Sequence, residues 1–390
     1  MERRTFLKGA AAGAALPVYG APERSLILLS RQEASRLKPG EQLAKRAAES
    51  MGLGPWSVTY HRPTGSLTQA GRNDFFSEGP YWWPNPKEPG GAYIRRDGVV
   101  NPDRFVENDR DLGRMSEAVM ALGLAAYFLK DAAAARRAWE VARVWFVDAG
   151  TRMIPNLEFG QAIRGVTPGR GIGIIDTRPL MWCAQGLALL EASFDQPGVS
   201  KAVRSWFGSY IDWLINSRKG KDESRNGNNH STWWAAQVAA YALYAGDAQA
   251  EKIAYDFHEA YLVPHQLRPD GSAPLEEART KSLSYSLMNL DGFALLCRMA
   301  KRRGRDLWSF RTKEGAGMLR SIEYIAPFLA DPTKWSKPQI APVGRNRGYS
   351  LGLAGMDTGR REWVEMQRGF ERSGGSWGDL FGMVLNQWQG

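Results

Sequence analysis

Residues 114–148 read RMSEAVMALGLAAYFLKDAAAARRAWEVARVWFVD, and this stretch decides the fold class. Met115, Val119, Leu122 and Ala126 recur at spacings of three and four, which lines one face of a helix with apolar groups. A short turn and a second alanine-rich helix follow. The same plan returns at residues 237–264, QVAAYALYAGDAQAEKIAYDFHEAYLVP. From residue 104 onward the pattern is helical almost throughout, with further helices predicted at 177–194, 201–217, 284–302 and 313–329. Strand signals are scarce. Antiparallel hairpins that repeat over some 250 residues stack into pairs, and such stacking closes into an all-α, (α/α) toroid or barrel.

Two regions break the helical pattern. Residues 56–103 contain SEGPYWWPNPKEPGGAYIRRDGVVNPD, and residues 153–176 read MIPNLEFGQAIRGVTPGRGIGIID. Loops of this length are uncommon unless they have a task. Both are expected over one rim of the helical array, with 56–103 as an aromatic lid or cleft wall. No linker marks a second domain, so residues 23–390 are expected to form one unit. The last 50 residues leave room for a short strand or an extended packing arm.

The N-terminus, MERRTFLKGAAAGAALPVYGA, carries paired arginines, Arg3 and Arg4, before a short run of small apolar residues. That pattern matches a bacterial twin-arginine export signal over residues 1–22, with Glu2 departing from the usual Ser or Thr. The mature chain is then periplasmic or secreted. No later stretch is long and apolar enough to span a bilayer. Removing the signal takes three cations and one anion with it, so the net charge falls from +10 to +8. A basic surface steers polyanions. For an exported chain the expected partner is an acidic polysaccharide rather than nucleic acid. Oligomeric state is not legible. Cys183 and Cys297 both fall in apolar helical runs and read as buried free thiols, with a disulfide as the lesser alternative.

Residues 226–237, NGNNHSTWWAAQ, begin an apolar helix with more polar and aromatic groups than a cap requires. From a start near Asn229, the residues His230, Trp233, Trp234 and Gln237 share one face. Core packing would explain the two tryptophans equally well. A second segment, PLEEARTKSLSYSLMNLDGF at 274–293, carries Glu276, Arg279, Lys281 and Tyr285 ahead of another apolar helix. Arg279 and Tyr285 are six apart, so they converge only if Arg279 lies in the turn before the helix.

Asn, His, Arg and Tyr together suit β-elimination from a uronate. The C5 proton is weakly acidic until the neighbouring carboxylate is neutralised, because its loss builds a second negative charge there. Asn229 and Arg279 are candidates to stabilise that charge. His230 or Tyr285 would take the proton, and Tyr285 would protonate the leaving C4 oxygen. A tyrosine base needs a lowered pKa, which a neighbouring Arg279 is expected to provide. The stiffened aromatics Tyr81, Trp82 and Trp83, between Pro80 and Pro84, are candidates for stacking on sugar rings. Asn156, Gln161 and Arg170 are candidate subsite residues, with Trp233, Trp234 and Glu276. The four histidines show no metal-ligand spacing, so no metal or cofactor is expected.

The strings EGPYWWPNP, YIRRDGVVNPD, GRGIGIIDT, NNHSTWWAAQVAA and LEEARTKSLSYSLMNLD resemble the alginate lyase superfamily over residues 81–291. The resemblance implies an incomplete (α/α) toroid and places that family's Asn-His pair on Asn229 and His230 and its Arg and Tyr on Arg279 and Tyr285. The six-residue Arg to Tyr interval and GRGIGIIDT are closer to the glucuronan lyase branch, polysaccharide lyase family 38. In that branch an acidic residue upstream of the Asn-His pair belongs to the site, and Glu223 is the matching position. In β-linked mannuronate and glucuronate the C5 hydrogen and C4 oxygen share a ring face, so Tyr285 alone would serve as base and acid. In guluronate and galacturonate they lie on opposite faces, which suits His230 as base. Two alternatives stand beside the lyase. One is a glycoside hydrolase on the same toroid, using Glu223 with Asp176 or Glu276. The other is a periplasmic sugar-binding protein.

The twin-arginine reading has a direct consequence. The double substitution Arg3→Lys with Arg4→Lys should retain the chain in the cytoplasm, measured by cell fractionation, and normal export of that variant would refute it.

Overall fold

The computed structural model describes residues 26–63 and 69–390. The export stretch at 1–22 lies outside the described residues. The chain opens with α1 (Arg31–Arg36) and α2 (Glu41–Met51), then three short strands, β1 (Phe76–Glu78), β2 (Trp82–Trp83) and β3 (Ile94–Arg95). The hairpin of residues 114–148 becomes α3 (Glu107–Leu129) and α4 (Ala132–Phe146). After β4 (Phe159–Ala162) and a 3₁₀ turn, Gly171–Thr177, come α5 (Leu180–Phe194), α6 (Pro197–Asn216), α7 (Arg218–Ser224), α8 (Asn229–Ala245) and α9 (Ala248–Phe257). The remainder is α10 (Val263–Gln266), α11 (Pro274–Glu277), α12 (Ser282–Arg302), α13 (Met318–Ala330), α14 (Ser350–Thr358), α15 (Arg361–Arg368) and α16 (Gly375–Gln387).

The predicted helices are all present with shifted ends. Thr177 closes a 3₁₀ turn, Gly171–Thr177, so α5 starts at Leu180 rather than at residue 177, and Pro197 starts α6 earlier than expected, since proline suits the first helical position. The last 50 residues hold helices α14 to α16; an isolated bridge between Lys281 and Gln339 lies just ahead of them.

Neighbour relations give a two-layered ring. α3, α5, α8, α12 and α14 pack one after another as an inner layer. Around them, α4 covers α3, α6 and α9 cover α8, α13 covers α12 and α14, and α15 covers α14. α16 returns to α2 and α3, so the end of the chain meets its beginning, fixed there by the Arg46–Asp379 ion pair. This is an (α/α) toroid. The inner helices are apolar on most sides because they are covered on most sides: in α8 residues 231–244 are all buried. Outer helices such as α15 bury only one face. Against the expectation that no stretch would qualify, α3 alone among the described helices is long and apolar enough to cross a membrane, but most of it is buried and it is wedged among α2, α4 and α5, as a core helix is.

The two irregular regions meet. β1 pairs in parallel with β4, Phe76 opposite Phe159 and Glu78 opposite Ala162. β2 pairs antiparallel with β3, Trp82 opposite Arg95. The β1–β4 pair thus pins residues 76–78 against 159–162, and the β2–β3 pair folds the rest of the aromatic loop back on itself. Cys183 and Cys297 are both free and buried, so the disulfide alternative is excluded.

α3 and α5 approach through glycine. A Cβ on Gly123 would come within 2.5 Å of the Gly186 carbonyl oxygen, and one on Gly186 within 2.6 Å of the Val119 carbonyl oxygen. In an open helix Gly→Ala stabilises by about 0.5–1 kcal/mol. Here backbone must move, so Gly186→Ala should instead cost about 1–3 kcal/mol and lower the melting temperature. A higher melting temperature would contradict this packing.

Candidate active site

α8 begins where the chain turns out of α7. Asn228 caps it, its Oδ1 accepting the His230 N–H at 3.0 Å, and Gly227 adopts φ 79° in the turn. Two buried carboxylates hold the first turn. Glu223, on α7 and fully enclosed, places Oε1 2.8 Å from His230 Nδ1. A hydrogen on Nδ1 satisfies that contact and leaves Nε2 as the acceptor nitrogen of the ring. Glu276, on α11, accepts from the Asn229 backbone N–H at 2.6 Å and from its Nδ2 at 2.9 Å on each oxygen.

Across from this turn lies the start of α12. Arg279 is in the turn before the helix, as convergence required, and its guanidinium carbon stands 3.8 Å from the centre of the Tyr285 ring. Arg279 is held by Asp97 of the 56–103 loop, Nη2 to Oδ1 at 3.0 Å. The Tyr285 hydroxyl is 2.6 Å from that of Tyr81. Burial, and then the bond to Tyr81, push the Tyr285 phenol above its ordinary value; Arg279 pulls it down without prevailing. The expectation that Arg279 leaves Tyr285 with a lowered pKa is therefore corrected. Tyr285 is held protonated, as a proton donor must be.

His230, Asn229, Arg279 and Tyr285 line one cavity of about 450 Å³ with Tyr81, Trp82, Arg95, Gln161, Arg170, Asp176 and Arg178. Four arginines against the one carboxylate of Asp176 give the wall a positive bias, which favours anions. Arg170 donates through Nε to the Gln161 carbonyl at 2.9 Å and faces the Trp82 ring; burial lowers its pKa to about 10. Gln161 has φ 48°, an uncommon conformation for a non-glycine residue. It is held there by donating Nε2–H to Asp176 at 2.7 Å and its backbone N–H to Ser77 at 2.8 Å. Burial raises Asp176, and burial together with the Asp176 charge raises Asp109 on α3 to about 7. Arg178 and Met288 also line a second cavity of about 390 Å³ beyond, with Trp182, Trp233, Asp291 and Tyr349.

Other expected site residues lie elsewhere. Trp234 is core: its Nε1 donates to the Leu214 carbonyl and its ring meets Phe257. Trp233 is almost wholly buried and borders only the second cavity. Trp83 donates to the Val99 carbonyl and stacks with Arg96, outside the cavity wall. Asn156 accepts the Glu158 N–H within its own loop. Glu223 and Glu276 stand behind the wall and hold His230 and Asn229 rather than facing the cavity. Asp109, Ser77 and Arg178 were not foreseen. Asp109 lies in the acidic first turn of α3, which reads as a solvated helix start.

The sequence matches the family described as alginate lyase over residues 62–335. Among solved structures, an alginate lyase from Bacteroides ovatus superposes with a TM-score of 0.79 at 31% identity, covering 86% of this chain and 90% of that one. Alginate lyase A1-III from Sphingomonas species A1 superposes with a TM-score of 0.55 at 18% identity, over 87% and 90%. A variant of A1-III in complex with a tetrasaccharide gives 0.54 at 17%, over 85% and 89%. These two are likenesses of fold. No curated protein sequence matches.

The raised Asp109 makes stability depend on pH. Its folded value is about 7 against an ordinary 3.8, so the folded state holds the extra proton and stability declines as pH climbs through that window. Asp109→Asn removes this share of the decline. The melting temperature of the variant should fall less steeply between those values than that of the wild type; an equal or steeper fall would contradict the assignment.

Proposed function

The chain belongs to the alginate lyase family, and we propose that it is an exported enzyme cutting a β-1,4-linked uronate polymer of the glucuronan or mannuronan kind. It is a polysaccharide lyase, and the reaction proposed is β-elimination to a 4,5-unsaturated uronate end. The observation that carries the reading is one cavity in which the Tyr285 hydroxyl and the His230 ring share a wall with arginines. The polymer assignment rests on the six-residue interval from Arg279 to Tyr285 and on GRGIGIIDT.

The chemistry follows from what each group is bonded to. Arginines at 95, 170, 178 and 279 draw the polyanion in and offset the charge that develops as the C5 proton leaves. Tyr285, held protonated, delivers its hydrogen to the C4 oxygen. On a β-linked glucuronate or mannuronate, whose C5 hydrogen shares that face, Tyr285 must first give its phenol proton to solvent; the phenolate, with the Arg279 guanidinium over its ring as the stabilising charge, then takes the C5 proton and passes it to the C4 oxygen as the C4–O bond breaks.

A second route has its own support. The Glu223 contact at Nδ1 leaves His230 Nε2 ready to accept a proton, and the Tyr285 phenol is already an acid. His230 as base and Tyr285 as acid is the arrangement for opposite ring faces, hence for guluronate or galacturonate. Hydrolysis is less well served, since it needs an acid pair at a set separation. Glu223 is bonded to His230, Glu276 to Asn229, and Asp176 to Ser77 and Gln161. A sugar-binding protein has no use for Tyr285 beneath a guanidinium.

The test is ultraviolet absorbance of the unsaturated product on glucuronan, polymannuronate, polyguluronate, hyaluronan and polygalacturonate. Absorbance should rise most on glucuronan or polymannuronate; none on any polymer would overturn the proposal. On the best substrate Tyr285→Phe should lower kcat by about 10²–10⁴-fold with the fold intact. His230→Ala divides the routes: near-complete loss indicates His230 as base, and partial loss indicates elimination run by Tyr285.

A further inference from the structure

The turn between α7 and α8 holds the only Asn-Gly pair in the chain, Asn226–Gly227. Such pairs mark turns, and this one sits at the active-site cavity. Asn226 is exposed and lines the cavity wall. Its Nδ2 donates to Glu223 Oε2 at 3.3 Å, while the other oxygen of Glu223 lies 2.8 Å from His230 Nδ1. Gly227, at φ 79°, brings no Cβ to shield its nitrogen. Ring closure from that nitrogen onto Cγ of Asn226 asks only for rotation about the bonds of Asn226. The Gly227 N–H is donated to Ser231 Oγ at 2.9 Å, which slows such an attack but leaves the Asn226 side chain open to solvent. Asn228, also in the wall, is followed by Asn229, whose side chain shields the next nitrogen.

We propose that Asn226 is a self-modification site that sets the working life of the enzyme. The Gly227 nitrogen gives its hydrogen to solvent and attacks Cγ of Asn226. The N–Cγ bond forms, the Cγ–Nδ2 bond breaks, and the amide leaves as ammonia. Water then opens the cyclic imide at either carbonyl. One opening leaves aspartate at 226; the other leaves isoaspartate, with the main chain running through the side-chain carbon. The balance is one water taken up and one ammonia released, with no change of oxidation state. The consequence for activity rests on the lyase reading of the same cavity.

Both products disturb the site, for different reasons. Aspartate replaces a donor to Glu223 with a second carboxylate and puts a negative charge in a wall whose bias is otherwise positive. Like charges at this range repel substrate carboxylates and compete with the hold of Glu223 on His230. Isoaspartate lengthens the main chain just ahead of Asn228, whose Oδ1 caps α8 on the His230 N–H at 3.0 Å. The turn is tethered on both sides. Tyr261 Oη donates to the Arg225 carbonyl at 3.2 Å, and Gln266 Nε2 to the Asn228 carbonyl at 3.0 Å. A carbon added between those tethers shifts the start of α8, and with it Asn229 and His230.

The test ages the purified protein in warm, mildly alkaline buffer and follows peptide masses beside activity on its best polymer. The peptide spanning 226–227 should gain the mass difference between a hydroxyl and an amino group, and should become a substrate for an isoaspartyl methyltransferase. Isomerisation at Asp97–Gly98, Asp270–Gly271 or Asp291–Gly292 leaves mass unchanged and is told apart by that measure. The kcat/KM should fall in proportion to the modified fraction. Asn226→Gln, which closes a larger ring far more slowly, should keep over the same period whatever activity it starts with. Fresh Asn226→Asp should show KM raised by about tenfold. An unchanged 226–227 peptide while the free peptide SRNGNN is converted, full activity in the modified protein, equal decay of Asn226→Gln, or a wild-type KM in Asn226→Asp would overturn the proposal. The peptide masses are read without substrate, so absence of product from fresh wild type overturns the lyase reading and leaves the modification to be decided by its masses.

Discussion

Two carboxylates buried beneath the first turn of α8 are the constraint on which the site depends. A buried carboxylate is tolerated only when bonded, and here the bonds fix the residues that face the cavity. Glu223 holds His230 by Nδ1, and Glu276 holds Asn229 by its backbone and its amide. Neither carboxylate borders the cavity, yet together they set the orientation of an imidazole and an amide. The (α/α) ring supplies the rigidity: α8 lies between α5 and α12 and is covered by α6 and α9. Its first turn therefore has little freedom except in the side chains those carboxylates hold.

The opposite wall is assembled from chain that has no helical role. Asp97, in the loop after β3, pairs with Arg279, and Tyr81, just before β2, touches the Tyr285 hydroxyl. Those loop residues are in turn fixed by pairing of β1 with β4 and β2 with β3. The strained backbone at Gln161 belongs to the same system, held between Ser77, Asp176 and Arg170. Strain of this kind persists where surrounding bonds over-determine it, and such places cluster at functional sites.

The helical layout was legible because hydrophobic spacing at 114–148 and 237–264 is unambiguous, and α3, α4, α8 and α9 appear where the pattern puts them. The pairing of NNH with the Arg–Tyr segment was legible as chemistry, and its members share a cavity. What sequence could not carry was direction. Nothing in TWWAAQ separates Trp234, packed on Phe257, from Trp233, at the edge of the second cavity. Glu223 and Glu276 were named, but not that they stand behind the residues they serve. Arg279 was legible as the neighbour of Tyr285, but it is outweighed by burial in the fold and by the Tyr81 hydroxyl, 204 residues away in sequence. Asp109 reads as an ordinary acidic helix start until Asp176 is placed beside it in space.

Elimination in this cavity requires a uronate to lie between the two walls. A crystal structure of Tyr285→Phe with a tetrasaccharide of its best polymer tests this directly. The expected result is a uronate carboxylate bonded to Asn229 or the cavity arginines, with its C4 oxygen beside the ring at 285 and His230 Nε2 within reach of the sugar. A tetrasaccharide bound with its carboxylates turned away from Asn229 and His230, or outside this cavity, would contradict it.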